Sequence, residues 1–377
     1  MYMTGFKQCT LTVMDNIADP DIRFDEKGIC NYCYEYKAAE INEHVKDPNR
    51  NELLEKLITK IKKDGKDKPY DCITGVSGGV DSTYLILMAK KWGLRPLIVH
   101  FDNGWNSEIA VQNINNIIRN TGFNLYTIVV NWEEFRDLQL SYIKAGVVDW
   151  EVPTDHAIAA TWFKLAKKYK IKTILSGNNV VTEAIMPPSW INNKTDYVNL
   201  KAIQKKFGSI SLNTYPVYDF WPQYYTAYLK GVKSEKPLNL LDYNKSKAKE
   251  QIKKELEWKD YGGKHYESVY TKFYQAYVLP TRFNIDKRKP HLSNLVLSGQ
   301  ISKEQALKEL EEPLYLPNDL IREKEYVLKK LGLSNVEFET FMTMPKVNHG
   351  EYGKQPFITD KYPILKLLRP IVKLIRK

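Results

Sequence analysis

Six consecutive residues, Ser77-Gly78-Gly79-Val80-Asp81-Ser82, put two hydroxyls, a carboxylate and a glycine pair within one turn of chain. An apolar run, Asp71 to Val76, precedes them and a helix-like run, Thr83 to Trp92, follows. A strand turning through glycines into a helix start aims backbone N–H groups and hydroxyls at one point, where the helix dipole also favours negative charge. Glycine lets the backbone approach an anion closely and adopt positive φ at little cost. A carboxylate among phosphates suits a Mg²⁺ ligand, which assigns Asp81 to metal. A bare SGG reads more simply as a capped turn; all six residues between a strand and a helix read as a phosphate cradle. No GxxxxGK[ST] sequence occurs in the chain, so γ-phosphate chemistry of the usual kind has no support.

A second set of reactive side chains lies near the N-terminus. Cys30-Asn-Tyr-Cys33 has the spacing at which two thiolates reach one tetrahedral Zn²⁺, and Cys9 stands upstream as a third donor. In Cys9-Thr-Leu-Thr12, threonine occupies the place of a fourth cysteine. Either water or His44 then completes the zinc site, or the thiols are simply buried without metal. Cys72 falls inside the first strand, and four cysteines in 377 residues are too few for a disulfide scaffold.

The elements that must position these groups follow from length and pattern. With 43% hydrophobic and 27% charged residues, the chain folds as one large or two modest domains. A net charge of +11 favours anionic partners without choosing among nucleic acid, nucleotides, nucleotide sugars and acidic lipid. Neither a signal-peptide pattern nor a run of 18 apolar residues is present, and a cytoplasmic location is expected. Residues 1–36 read as a small cysteine-containing module, 37–69 as a linker helix, 70–190 as alternating strands and helices, and 191–377 as a mostly helical region that closes over the site. Near-continuous apolar strands alternating with helices predict an α/β fold with a doubly wound parallel sheet. Ligands in such sheets sit at the carboxyl ends of strands. That rule gathers Ser77 to Ser82 after the first strand, His100, Asp102, Asn103 and Gly104 after the second, and Ser176, Gly177, Asn178 and Glu183 after the fourth. Asp155-His156 begins a helix near the same edge and reads first as a cap. Trp221, Tyr224 and Tyr225 read first as core aromatics and second as a stacking platform. Ser302-Lys-Glu-Gln305 fits a capping box. The final PILKLLRPIVKLIRK places Lys366, Arg369, Lys373 and Arg376 at helical spacing opposite Ile and Leu. This pattern fits a docked C-terminal helix or peripheral contact with an anionic membrane surface.

SGGVDS resembles the PP-loop of the ATP pyrophosphatases, which include GMP and NAD synthetases, asparagine synthetase and tRNA-thiolating enzymes. That resemblance implies cleavage of ATP between the α and β phosphates and adenylation of a substrate oxygen. Over nearly its whole length the chain is similar to the N-acetyl sugar amidotransferase family, PP-loop enzymes of bacterial surface polysaccharide (LPS, O-antigen) synthesis. The stretches concerned are CTLTVMDNIADPDIRFDEKGICNYC, SGGVDS, HFDNGWN, SGNN, GGKHYESVYTKFYQ and DKRKPHLSNLVLSGQISKEQAL. The resemblance implies an AMP-forming ligase that converts an acetamido group of a nucleotide sugar into an acetamidino group, with ATP and Mg²⁺ as cofactors and Zn²⁺ in the cysteine module. Ser77, Gly78, Gly79, Val80, Asp81 and Ser82 would then meet phosphate, with Asp102, Asn103, Gly177 and Asn178 also at the nucleotide. Asp81 and Glu183 would hold Mg²⁺, and Cys9, Cys30 and Cys33 would hold Zn²⁺. Cations for departing pyrophosphate would come from Lys264, His265, Arg282, Lys287 and Arg288, with His291 beside them, unless these form a solvated basic face. No glutaminase signature accompanies the motif, and the resemblance implies a separate glutaminase and cyclase-like pair that supplies ammonia. No nucleic-acid partner is expected. A tRNA-modifying PP-loop enzyme is the alternative, since charge and cysteines would fit it equally well.

Overall fold

The computed structural model describes residues 5–219, 231–263 and 266–356. Its centre is a sheet of five strands, β1 Cys72–Gly75, β2 Pro96–Asp102, β3 Leu125–Val129, β4 Thr173–Leu175 and β5 Lys233–Glu235, in the order β3-β2-β1-β4-β5. Every pairing is parallel. The chain therefore builds outward from β1 to β3, then crosses back to β4 on the other side of β1. The switch point falls between β1 and β4, the two strands whose following loops carry SGGVDS and Gly177 to Glu183.

Side-chain alternation along the strands supplies two cores. Ile98 packs with Ile86 and Leu87 of α3 (Val80–Lys91), Ile114 and Ile117 of α4 (Glu108–Thr121), and Ile252 and Leu256 further along. Its neighbours Leu97 and Val99 face the opposite way, joining Ile73, Ile174, Leu165 and Ala166. Helices thus cover both faces, which is why the central strands are apolar throughout rather than alternating. Gly75 is needed here because a Cβ on it would lie 2.6 Å from the Trp162 ring, in the helix that returns from β3 to β4.

The 37–69 stretch forms two helices rather than one, α1 Asn31–Asn42 and α2 Arg50–Asp64. Between them His44 adopts a left-handed φ of 58°, and Pro48 cannot continue a helix. After β3 come α5 Trp132–Lys144, α6 Val152–Lys168, the short α7 Val180–Glu183 and α8 Tyr197–Phe207. β5 joins the sheet from the region expected to be helical. Its three residues, Lys-Ser-Glu, carry no apolar signal.

The rest of the described chain is helical: α9 Lys245–Leu256, α10 Val269–Phe273, α11 Arg288–Leu297, α12 Lys303–Glu311, α13 Pro317–Leu331 and α14 Asn335–Thr343. A wide π-helical turn, Tyr274–Phe283, continues α10 and contains Pro280. Ser302 and Gln305 form the expected capping box at the start of α12. Of these, α10 with its π-helical continuation, α13 and α14 join α5, α6 and α8 in enclosing the largest apolar cluster, around Trp105, Trp150 and Trp190. No described helix is long and apolar enough to cross a membrane. The C-terminal amphipathic stretch and Trp221, Tyr224 and Tyr225 lie outside the described residues.

Candidate active site

The SGGVDS turn has the geometry that glycine permits. Gly78 sits at φ +87°, where a side chain would be strained, and a Cβ at this position would press on Ala110. Ser77 Oγ accepts the Gly79 N–H at 3.2 Å and lies 3.3 Å from Ser82 Oγ, so both hydroxyls converge over the turn. α3 starts at Val80, three residues ahead of the expected Thr83, which puts Asp81 and Ser82 in its first turn. The loop after β4 comes in against it: a Cβ on Gly177 would lie 3.2 Å from the Ser82 nitrogen.

Asp81 and Glu183 both act on Tyr243. The tyrosine hydroxyl donates to the Asp81 carboxylate. Burial first, then the Asp81 and Glu183 charges, push its phenol well above the ordinary value. Carboxylates from the two loops at the switch point thus both influence one tyrosine, and carboxylate oxygens are the donors that suit Mg²⁺. Asn179 caps α7 through the Thr182 N–H at 3.0 Å, and Asn239 and Asn294 accept from the Val180 and Ile185 N–H groups, fixing the helix that ends in Glu183. Beside it, Lys245 Nζ lies 2.8 Å from His291 Nε2, and His291 Nδ1 lies 3.2 Å from the Thr182 carbonyl. Asn178 donates its N–H to Ser176 Oγ at 3.2 Å.

The chain beyond α9 closes the cradle from the β2 side. Trp258 Nε1 donates to the Gly78 carbonyl at 2.7 Å, and a Cβ on Gly79 would lie 3.3 Å from Tyr261 Oη and 3.7 Å from Glu267 Oε1. Asn106 bridges to Ser268, and Ser107 donates its N–H to the Glu267 carbonyl. Lys264 and His265 fall between these segments but outside the described residues.

At the end of β2, Asp102 Oδ1 accepts from the Gly104 N–H at 2.9 Å and from Asn106 Nδ2 at 3.1 Å. His100 is nearly buried and held below its usual pKa by that burial, with Nδ1 at the Val76 carbonyl and Nε2 at Asn106. Asn103 donates to Thr154 Oγ1 at 3.3 Å, tying this edge to the start of α6. A pocket of about 200 Å³ opens beside Asp102, lined by Gly104, Val129, Val130, Trp132 and Lys330.

The remaining basic candidates separate. Arg282 is buried and donates to the carbonyls of Phe341, Met344 and Pro345, bracing the end of α14. Arg288 grips Asp286 and the carbonyls of Glu309, Leu310 and Glu312 at the end of α12. Lys287 points instead towards Asp149 and Glu151. His156 uses both ring nitrogens structurally: the Tyr218 N–H donates to Nε2, and Nδ1 meets the Lys194 carbonyl.

In the N-terminal module Cys9 Sγ lies 3.6 Å, and Cys30 Sγ 3.7 Å, from Cys33 Sγ. Thiolates bound to one zinc at about 2.3 Å stand about 3.8 Å apart in a tetrahedron, so the three sulfurs fit the metal. Hydrogen bonds from the Cys30 and Cys33 thiols hold Cys9 below its ordinary pKa, while Cys33 is pushed up as the donor. Thr12, fully buried with Oγ1 4.0 Å from Cys30 Sγ, stands at the fourth side. His44 is not in this group; it pairs with Asp47 at 3.0 Å.

Tyr243, Lys245, Trp258, Tyr261 and Glu267 carry no sequence signal, because each becomes a neighbour of the cradle only through folding.

A parallel α/β sheet carrying a phosphate-type turn at its switch point defines the class. Residues 267–367 match the family model described as LPS biosynthesis protein WbpG-like, C-terminal domain. The chain is also similar to the uncharacterized protein MJ1599 of Methanocaldococcus jannaschii, 25% identical over 337 residues, which cover 86% of this chain and 99% of that protein. Among solved structures, NMN synthetase from Francisella tularensis aligns at 16% identity with a TM-score of 0.29, covering 52% of this chain and 75% of that one. An NH3-dependent NAD synthetase from Campylobacter jejuni aligns at 11% identity with a TM-score of 0.30, covering 71% and 99%.

Proposed function

We propose that the protein is a PP-loop ligase of lipopolysaccharide synthesis that adenylates the acetamido oxygen of an N-acetylated nucleotide sugar and replaces it with ammonia, releasing AMP and pyrophosphate. The observation that carries this reading is the two-serine, two-glycine turn at the switch point, with Asp81 in the first turn of α3 held by Tyr243 and the Glu183 charge also felt at that tyrosine. The match to a WbpG-like domain supports the pathway.

An amide oxygen leaves poorly, so it must first be activated, and adenylation makes it part of a phosphate leaving group. The N–H groups and hydroxyls of Ser77 to Ser82 would hold the phosphates of ATP, preorganised for the charge that develops as pyrophosphate departs. Mg²⁺, when bound by Asp81 and Glu183, would neutralise phosphate charge. Lys245, with His291 at 2.8 Å from its Nζ and beside the same helix, would supplement Lys264 and His265. Asn103, Asp102, Gly177 and Asn178 would shape the nucleotide's surroundings. Ammonia would come from a separate glutaminase and cyclase-like pair, and zinc in the cysteine module would serve structure rather than chemistry.

The experiment supplies ATP, Mg²⁺ and ammonium with a UDP-linked di-N-acetylated hexuronic acid, a CMP-linked or free nonulosonic acid, or bulk tRNA. AMP and pyrophosphate should appear with one of the sugars, with ammonium but not with glutamine. AMP formed only with tRNA would establish the tRNA-modifying alternative instead.

A further inference from the structure

Between the start of α6 and α10 lies a cluster of five charged groups, Asp149, Glu151, Asp155, Lys194 and Lys287. Asp149 is buried and bound by Lys194 at 2.7 Å and by the Asn192 N–H at 2.9 Å; its own N–H donates to His349 Nε2. Lys194, 28% exposed at its side chain, also reaches Asp155 at 3.1 Å, so the cluster is open to water on this side. These three groups satisfy one another.

The other two do not. Glu151 accepts only the Thr271 hydroxyl, at 3.1 and 3.3 Å, among the described residues. Lys287 forms no hydrogen bond or ion pair among the described residues; its Nζ stands 6.0 Å over the Tyr274 ring. Glu151 and Lys287 are not paired with each other. A purely structural pair of opposite charges removed from bulk water would be in contact, because separated charges keep the desolvation cost without the attraction. Both groups therefore present open valence to a ligand.

The cluster is linked to the cradle through neighbouring segments. Asn103 at the β2 edge bonds Thr154 in the first turn of α6, and Thr271 lies one helical turn after Ser268, which pairs with Asn106 beside Glu267 and Gly79. Burial, with Asp155 adding to it, raises the Glu151 carboxyl to about 7, where a group exchanges protons readily at neutral pH. The other groups around it are Asp149, Lys194, Lys287, Tyr270 and Tyr274, and all but the lysines oppose its ionisation or are neutral.

We propose that this cluster marks the acceptor end of the site and that Glu151 is the catalytic residue that takes the proton released when nitrogen replaces oxygen. The inference rests on the amidation reading above. The ammonia lone pair forms the C–N bond and one of its three protons passes to the Glu151 carboxylate. The C–O bond to the adenylyl oxygen breaks, and AMP leaves with that electron pair. Glu151 then returns the proton to water, while Lys287 faces an oxygen of the acceptor.

The test uses Glu151→Gln and Glu151→Asp in the full chain with the sugar that serves the wild type. Pyrophosphate exchange into ATP without ammonium reports adenylation; AMP release with ammonium reports the whole reaction. Both variants should keep exchange within about twofold and lose ammonium-dependent turnover by about 10²-fold. In the wild type kcat/KM should rise with pH through about 7, and in Glu151→Gln that limb should vanish. Wild-type turnover in Glu151→Gln, or equal loss of exchange and turnover in both variants, overturns the role of Glu151. A wild-type protein that exchanges pyrophosphate with no sugar of the panel overturns the amidation reading itself.

Discussion

Asp81 shows how a side chain's setting is fixed by its place in a helix. In the first turn of α3 its negative charge is favoured by the free N–H groups and the dipole, and the Tyr243 hydroxyl fixes its orientation. Asp81→Asn keeps the volume and can still accept from the tyrosine, so the fold should survive while metal-supported AMP formation falls below detection. Circular dichroism and an AMP assay on the same preparation check this; near-normal activity would mean the carboxylate is not a metal ligand. Arg282 makes the converse point. Its charge alone suggests a pyrophosphate ligand, yet its donors are committed to three main-chain carbonyls near the end of α14.

At the level of elements, the cysteine module is bound to the rest of the molecule rather than appended to it. Cys9, Cys30 and Cys33 share a core with Val180, Val181 and Ile185 around α7 and with Tyr243 and Ala248. Lys289 of α11 pairs with Asp15, and Lys303 of α12 donates to the Cys9 carbonyl. The cysteine corner and the helix bearing Glu183 are thus two sides of one packed unit. Thr12→Cys should complete a four-thiolate set, raising zinc retention against a chelator and the melting temperature; unchanged retention would show that Thr12 is not at the fourth corner.

The same elements show what sequence can reveal. SGGVDS, the strand pattern around it and the Ser302 capping box are local signals, written within a few residues, and each has its expected structure. β5 is invisible in the sequence because three polar residues become a strand only by lying beside β4. Tyr243 and Trp258 reach the cradle across 162 and 180 residues of chain, a distance at which spacing says nothing. Glu151 is unreadable for another reason: a single acid at a helix start looks like a cap until its neighbours are known.

For the whole molecule, burying charge near the site makes stability depend on pH. The folded Glu151 carboxyl titrates near 7 against an ordinary 4.5, so the native state holds a proton that the unfolded state has released between those values. Its contribution is present below the ordinary value and is lost as pH rises through about 7. The melting temperature of the wild type should accordingly fall over that window relative to Glu151→Gln, as differential scanning calorimetry at matched ionic strength would read; parallel curves would place Glu151 in contact with open solvent.

Asp15 and Lys289 are joined across 274 residues. During synthesis the three thiols emerge first and their partners on α11 and α12 follow on the order of tens of seconds later at ordinary elongation rates. For that interval the nascent module carries its three thiols without the helices that cover them, so any metal the cluster takes would first be met on the ribosome, before its surroundings are complete.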